Sequence, residues 1–288
     1  FLQELPVLLP LTNLRNWIGD YAMKILAFDI GGTNIKYAVC NERFELGELQ
    51  SIPTQAAKGG QHIINTVIEI IASYDDIDRV AISTAGQVDS ENGIVVYSSD
   101  NIPYYTGMLV KKIVETKTGI PTIVENDVNA AALGEAIFGA AKGYSDFVCL
   151  TFGTGIGGAI YVNNSLYKGC NSSAGEFGHI ITHAGGRPCP CGGEGCYEQY
   201  ASAKALTQAV EKVTGEEMNG FQIFSKNSLL DPEIRHVVDT WIDEIIIGLK
   251  SIIYTFNPQL LVLGGGIMSE EYIIELIDRK IYKELMET

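Results

Sequence analysis

Two stretches of this sequence repeat one pattern, and the repetition narrows the available folds more than any other feature. Residues 28–39 read FDIGGTNIKYAV and residues 151–162 read TFGTGIGGAIYV. Each is an apolar run, a glycine-rich bend and a second apolar run, the spacing of a hairpin. In the first copy the strands are Lys24 to Ile30 and Ile35 to Cys40. In the second they are Phe147 to Phe152 and Ala159 to Val162, with the bend at Gly153 to Gly158. The same unit appearing far apart in one chain implies a duplication at domain scale. A third apolar run, Leu260 to Leu263, ends in Gly264-Gly265-Gly266 and leads into a predicted helix.

Helical patterns separate these strands. Gln61 to Tyr74 places Ile64, Val67, Ile68 and Ile71 at helical spacing. Lys111 to Thr118 is helical and is stopped by Gly119 and Pro121. Strands are predicted at Arg79 to Ser83 and Thr122 to Glu125, the latter followed by an alanine-rich helix from Val128 to Phe138. Alternating strands and helices indicate an α/β protein. A boundary near Asp127 divides it into a small α/β domain, 23–126, and a larger one, 127–288. Residues 1–22 form an N-terminal extension whose role is open; they lack the pattern of a secretory signal. Glu244 to Phe256 is apolar but carries Lys250 and falls short of the ~18 residues of a membrane span, so it is predicted as a buried helix.

Charge limits the partners. The chain has 20 Lys and Arg against 35 Asp and Glu, a formal net charge of −15. Such a surface repels phosphodiester backbones and anionic lipids, so neither nucleic acid nor membrane is expected as a partner. Backbone N–H groups can still hold a phosphate without basic side chains. With 46% hydrophobic residues the chain has the material for a packed core. The six cysteines, in a chain expected to be cytoplasmic, do not suggest a disulfide framework.

The glycine bends have the makings of a phosphate cradle, because no side chain blocks their amides. A plain hairpin turn is the alternative for either bend alone. Neither a G-x-x-x-x-G-K-[ST] loop nor a dinucleotide fingerprint in its proper context is present; Gly155 to Gly158 lies between two strands. Asp29, at a strand end, is suited to hold Mg²⁺ through water. Asp127 lies where a strand gives way to a helix, and spacing fits a proton acceptor and a helix N-cap equally. Glu176, His179 and Glu198 suit sugar hydroxyls; for Glu176 and Glu198 a solvated surface charge is the alternative. Cys189, Cys191 and Cys196 form C-x-C-x₄-C with His179 ten residues upstream. Three thiolates and an imidazole make a closed tetrahedral zinc set; a disulfide or free thiols are the alternatives.

FDIGGTNIKYAV, VENDVNAAALGE, TFGTGIGGAIYV, and AGEFGH followed by CPCGGEGCYE together resemble the ROK sugar kinases, from Met23 to about Ile267. The resemblance implies a two-domain actin-like fold of the hexokinase type (ribonuclease H-like), with a cleft between the domains. It implies an ATP-dependent kinase acting on the 6-hydroxyl of a hexose, either glucose or the terminal glucose of a β-glucoside. N-acetylmannosamine kinase is the alternative acceptor reading, and a ROK-type transcriptional regulator lacking a DNA-binding domain is the alternative of another class. By the same resemblance Asp127 is the base. Asp29, Gly31, Gly32, Thr33, Asn34, Lys36, Gly153, Thr154, Gly155 and Gly265 serve ATP and its Mg²⁺. Gly86, Asn101, Asn126, Asp127, Glu176, His179 and Glu198 hold the sugar, and His179, Cys189, Cys191 and Cys196 hold a structural zinc. A homodimer is expected.

Some segments depart from the family pattern. Thr84-Ala85-Gly86-Gln87-Val88-Asp89 and Asn101-Ile102-Pro103-Tyr104-Tyr105 differ from the sugar-lining turns of ROK glucokinases. The Gly-Asn-x-Ala-Gly helix that closes related chains has no counterpart before Thr288; Phe1 to Trp17 is one candidate to fill its place.

Overall fold

A computed structural model describes residues 23–99, 101–225 and 227–286. The proposed role of Phe1 to Trp17 therefore lies outside the described residues. Along the chain run strands β1 (Ile25–Ile30), β2 (Asn34–Cys40) and β3 (Gln50–Pro53), helix α1 (Gly60–Ala72), and strands β4 (Arg79–Thr84), β5 (Gln87–Asp89) and β6 (Ile94–Tyr97). Helix α2 (Val110–Thr118), strand β7 (Thr122–Asn126) and helix α3 (Asp127–Ile137) follow, then β8 (Phe147–Phe152), β9 (Ile156–Val162) and β10 (Ser165–Tyr167). The last part holds α4 (Glu198–Ala201), α5 (Ala203–Thr214), α6 (Gly220–Ile223), α7 (Pro232–Phe256), β11 (Leu260–Gly264) and α8 (Glu271–Glu284). The described chain divides into two compact units: residues 23–145 with 160–174, and residues 146–159 with 175–286.

The first unit is built on a five-stranded sheet of order β3-β2-β1-β4-β7. β1 is a near-continuous apolar run, as a strand covered on both faces must be. It pairs antiparallel with β2 and parallel with β4, and β4 pairs parallel with β7. Helix α1 turns Ile63, Ile64, Val67 and Ile71 into the core, the i, i+1, i+4, i+8 stripe of an amphipathic helix. Ile63 lies on that stripe, whereas Ile68, which the spacing had suggested, is only half-buried. The strand register sets one row of chemistry: Lys36 opposite Asp29, Asp29 beside Ser83, and Ser83 beside Glu125. Ile160–Val162 of β9 pair antiparallel with β10 in this same unit.

In the second unit β8 and β11 run parallel, with Gly264 opposite Thr151. Helix α7 begins at Asp231, whose side chain accepts from the N–H groups of Glu233 and Ile234, with Pro232 in the first turn. It ends at Asn257 in the left-handed conformation. The apolar run Glu244 to Phe256 is therefore the second half of a longer helix and is not buried all round. Trp241, Ile245, Leu249 and Ile252 face the core, while Ile247 and Tyr254 are exposed. The triple glycine, which begins at the last residue of β11, leads first into a short 3-10 turn, Gly266–Ser269, and only then into α8. Among the described residues no helix is long and apolar enough to cross a membrane.

Candidate active site and metal centre

In the first unit the candidate residues gather at the carboxyl ends of the parallel strands β1, β4 and β7, the usual ligand edge of such a sheet. The Asn126–Asp127 step turns β7 into α3. Asn126 is the N-cap: its Oδ1 accepts from Val128 N–H at 2.9 Å and from Asn129 N–H at 3.0 Å. The cap role that the spacing left open to Asp127 is filled by Asn126, and Asp127 stands one position inside the helix. Asn126 Nδ2 donates to Asp127 Oδ1 at 2.8 Å and to the Gly86 carbonyl at 2.9 Å. Both hydrogens and both lone pairs of the Asn126 amide are thus in use. A sugar contact from Asn126 would have to replace one of these bonds.

The Asp127 carboxyl is pushed up to about 6, first by burial and then by the nearby Asp29 carboxylate. Hydrogen bonds from Val128 N–H and Asn126 Nδ2 oppose the rise without cancelling it. Asp29 is itself raised by burial, with Ser83 Oγ at 3.3 Å and the Lys36 ammonium pulling it back. Ser83 was not foreseen, because only the strand register brings it beside Asp29. Asn101 lies exposed on the turn that leads to Pro103. The departing segment around it is well anchored: the buried Tyr105 hydroxyl meets Thr84 Oγ1 at 2.8 Å, and the Pro103 carbonyl accepts from Gly60 N–H at 2.9 Å.

The bend after β1 is closed by Gly31 N–H donating to the Asn34 carbonyl at 3.0 Å, and by Thr54, whose hydroxyl donates to the Gly31 carbonyl at 2.6 Å. Gly32 and Thr33 are exposed, and their N–H groups make no hydrogen bond among the described residues. Thr54, a second residue the sequence did not flag, is the buried brace of this turn.

In the second unit the bend Gly153–Thr154–Gly155 closes with Gly153 N–H on the Gly155 carbonyl at 2.9 Å, and Lys204 N–H donates to the Gly153 carbonyl. Gly265 sits against it. Its φ is +99°, and a Cβ there would lie 2.2 Å from the Phe152 carbonyl oxygen, so only glycine fits. Two glycine bends thus adjoin at the carboxyl ends of β8 and β11.

His179, Cys189, Cys191 and Cys196 come together with their ligand atoms within 4.8 Å of one another. Cys189, Cys191 and Cys196 form no disulfide, and Cys191 Sγ stands 3.6 Å from Cys196 Sγ, far beyond a disulfide bond. His179 Nδ1 lies 3.7 Å from Cys189 Sγ, while Nε2 lies 4.0 Å from Glu176 Oε2. The donor set fits a zinc ion. Burial pushes the Cys189 thiol well above the usual range, with the Glu198 carboxylate adding to it. A thiolate there needs a cation, and a divalent ion would provide one. Zinc held by these four residues would fix the ring orientation and tautomer of His179.

Glu198 is no solvated charge. Its side chain is 16% exposed and accepts from the Cys189 thiol and from Gln199 Nε2, each at 3.2 Å. A Cβ on Gly155 would lie 2.4 Å from Glu198 Oε2, so the carboxylate borders the second glycine bend. Its neighbour Tyr197 is buried, and the phenol donates to the Ile245 carbonyl at 2.8 Å. The ring sits over Gly248, where a Cβ would come within 2.2 Å of it. Helix α7 thereby fixes the start of α4 and with it Glu198. Glu176, 44% exposed, is the more open of the two carboxylates.

A family model described as the ROK family matches residues 25–288. This chain belongs to the ROK family. An uncharacterized protein of Clostridium perfringens is 40% identical over 267 residues, covering 90% of this chain and 87% of that one. A β-glucoside kinase of Listeria innocua is 33% identical over 258 residues, covering 88% and 86%. A crystal structure of a ROK family glucokinase from Streptomyces griseus, in complex with glucose and AMPPNP, is 31% identical. It superposes with a TM-score of 0.79 over 91% of this chain and 89% of that one. The fold is accordingly the actin-like, hexokinase-type fold of ROK sugar kinases.

Proposed function

We propose that this ROK protein is an ATP-dependent sugar kinase that transfers the γ-phosphoryl group to the 6-hydroxyl of a hexose. The acceptor we favour is glucose or the terminal glucose of a β-glucoside. The observation that carries this reading is Asp127. It is a carboxylate just past the end of a parallel strand, oriented by Asn126 and with its pKa pushed up to about 6. Such a group is suited to accept a hydroxyl proton as that oxygen attacks phosphorus. The oxygen–phosphorus bond forms, the bond to the leaving ADP breaks, and ADP departs with the electron pair. The open amides of Gly32 and Thr33, and the bends at Gly153–Gly155 and Gly265, are assigned to the polyphosphate. Asp29 would hold Mg²⁺, which neutralises phosphate charge when bound. Gly86, Asn101, Asn126, Glu176, His179 and Glu198 are assigned to the sugar hydroxyls. The β-glucoside kinase and glucokinase relatives support the substrate class.

Coupled ADP release with glucose, mannose, cellobiose and N-acetylmannosamine tests the reading. Sugar-dependent turnover is expected with glucose or cellobiose, and Asp127→Asn should lower kcat by about 10²–10⁴-fold. An Asp127→Asn variant that keeps wild-type turnover would remove the proposed base.

A further inference from the structure

The strand residue just ahead of Asn126 is a buried glutamate whose charge is met from a remote segment. Glu125 is 6% exposed. Its Oε2 pairs with the Lys168 ammonium, which also donates to Ser90 Oγ. Its Oε1 accepts from the backbone N–H of Asn126 at 3.0 Å and from Asn129 Nδ2 at 3.1 Å. The segment bearing Lys168 is held in place independently. Ser173 Oγ donates to Gln87 Oε1 at 2.9 Å, and Ala174 N–H donates to the Lys168 carbonyl at 3.1 Å. Asp89 is the other carboxylate that feels Lys168.

We infer that Lys168 is a positioning residue for the phosphoryl acceptor site, acting through Glu125 on Asn126 and the first turn of α3. This rests on the kinase reading above. Glu125 holds the turn at two points, the backbone of Asn126 and the side chain of Asn129. Asn126 in turn holds Asp127 Oδ1 and the Gly86 carbonyl. Without Lys168 the buried carboxylate loses the partner of its Oε2 and is drawn toward water. That alters its grip on the Asn126 N–H, and the error passes to the carboxylate one residue on. Stability alone does not account for an ionic device here, since buried ion pairs are commonly matched by apolar replacements. The glycine bends assigned to ATP take no part in these hydrogen bonds.

Steady-state kinetics and thermal melts on the full chain separate the alternatives. Lys168→Met should lower kcat about 10- to 100-fold, the scale of a small misplacement of a reacting group, with the KM for ATP changed by less than about twofold. Lys168→Arg should restore most of kcat. The double variant Glu125→Gln/Lys168→Met should recover the melting temperature, because no lone charge stays buried, yet keep the low kcat. Wild-type kcat in Lys168→Met, or a double variant that regains kcat along with its melting temperature, overturns the positioning role. If Lys168→Met does not fold, the double variant carries the same comparison. A wild-type chain that releases no ADP with any sugar overturns the kinase reading itself, and this role with it.

Discussion

At the scale of single residues, Asp127 shows how a candidate base acquires its properties. Burial raises its carboxyl, Asp29 raises it further, and Asn126 Nδ2 and Val128 N–H restrain the rise. Since the base works ionised, kcat/KM should fall as pH drops through about 6. Stability runs the other way. The folded-state pKa exceeds the unfolded value of 3.8, so the folded protein binds the extra proton and loses stability as pH rises between the two values. Asp127→Asn should therefore be more stable than wild type at pH 7.5 by on the order of 1–3 kcal/mol, with the gain gone below about pH 4. Chemical denaturation at both pH values checks this; an equal or lower stability at pH 7.5 contradicts it. The asparagine keeps an oxygen for the Val128 N–H, so the comparison isolates the charge. Sequence alone could not assign the cap, because Asn126 and Asp127 are both competent for it. The choice was made by which side chain reaches two amides of the first turn.

At the scale of elements, the cysteine loop is the clearest case of chemistry legible in the chain. C-x-C-x₄-C and an upstream His179 are a spacing argument, and the four ligand atoms converge. The two ring nitrogens face different ways, Nδ1 toward Cys189 and Nε2 toward Glu176, so a metal held on one side would orient a donor on the other. Cys191→Ser should lower zinc content and weaken sugar binding together, by about 10- to 100-fold for the sugar. Metal analysis beside a sugar titration decides it, and unchanged sugar affinity in zinc-free protein would break the link. The strands were readable for a related reason, as apolar runs ending in glycine bends. Ser83, Thr54 and the Glu125–Lys168 pair were not, since their meaning arises only when the sheet register or a distant loop brings a partner. The long helix α7 was half legible. Its core stripe and its exposed residues Ile247 and Tyr254 share one apolar stretch, and composition alone does not distinguish the faces.

At the scale of the whole molecule, the net charge of −15 disfavours polyanionic partners in general. Fixed backbone amides at glycine bends can admit one small anion without inviting the larger ones. The division of the chain into units has a sharper consequence. Residues 160–174 belong with 23–145, while the residues on either side of them belong with the other unit. No single cut yields either body intact. A fragment ending at residue 145 would retain every strand of the central sheet and yet lack Lys168, whose ammonium pairs with Glu125. Expressed alone, it should be poorly soluble, and Glu125→Gln should improve its recovery, measurable as the soluble fraction after centrifugation. Full recovery of the unmodified fragment would show the lysine to be dispensable for folding. A stretch of fifteen residues lent by one body to the other thus makes the two interdependent in synthesis: the earlier is not finished when its last sheet strand has been made.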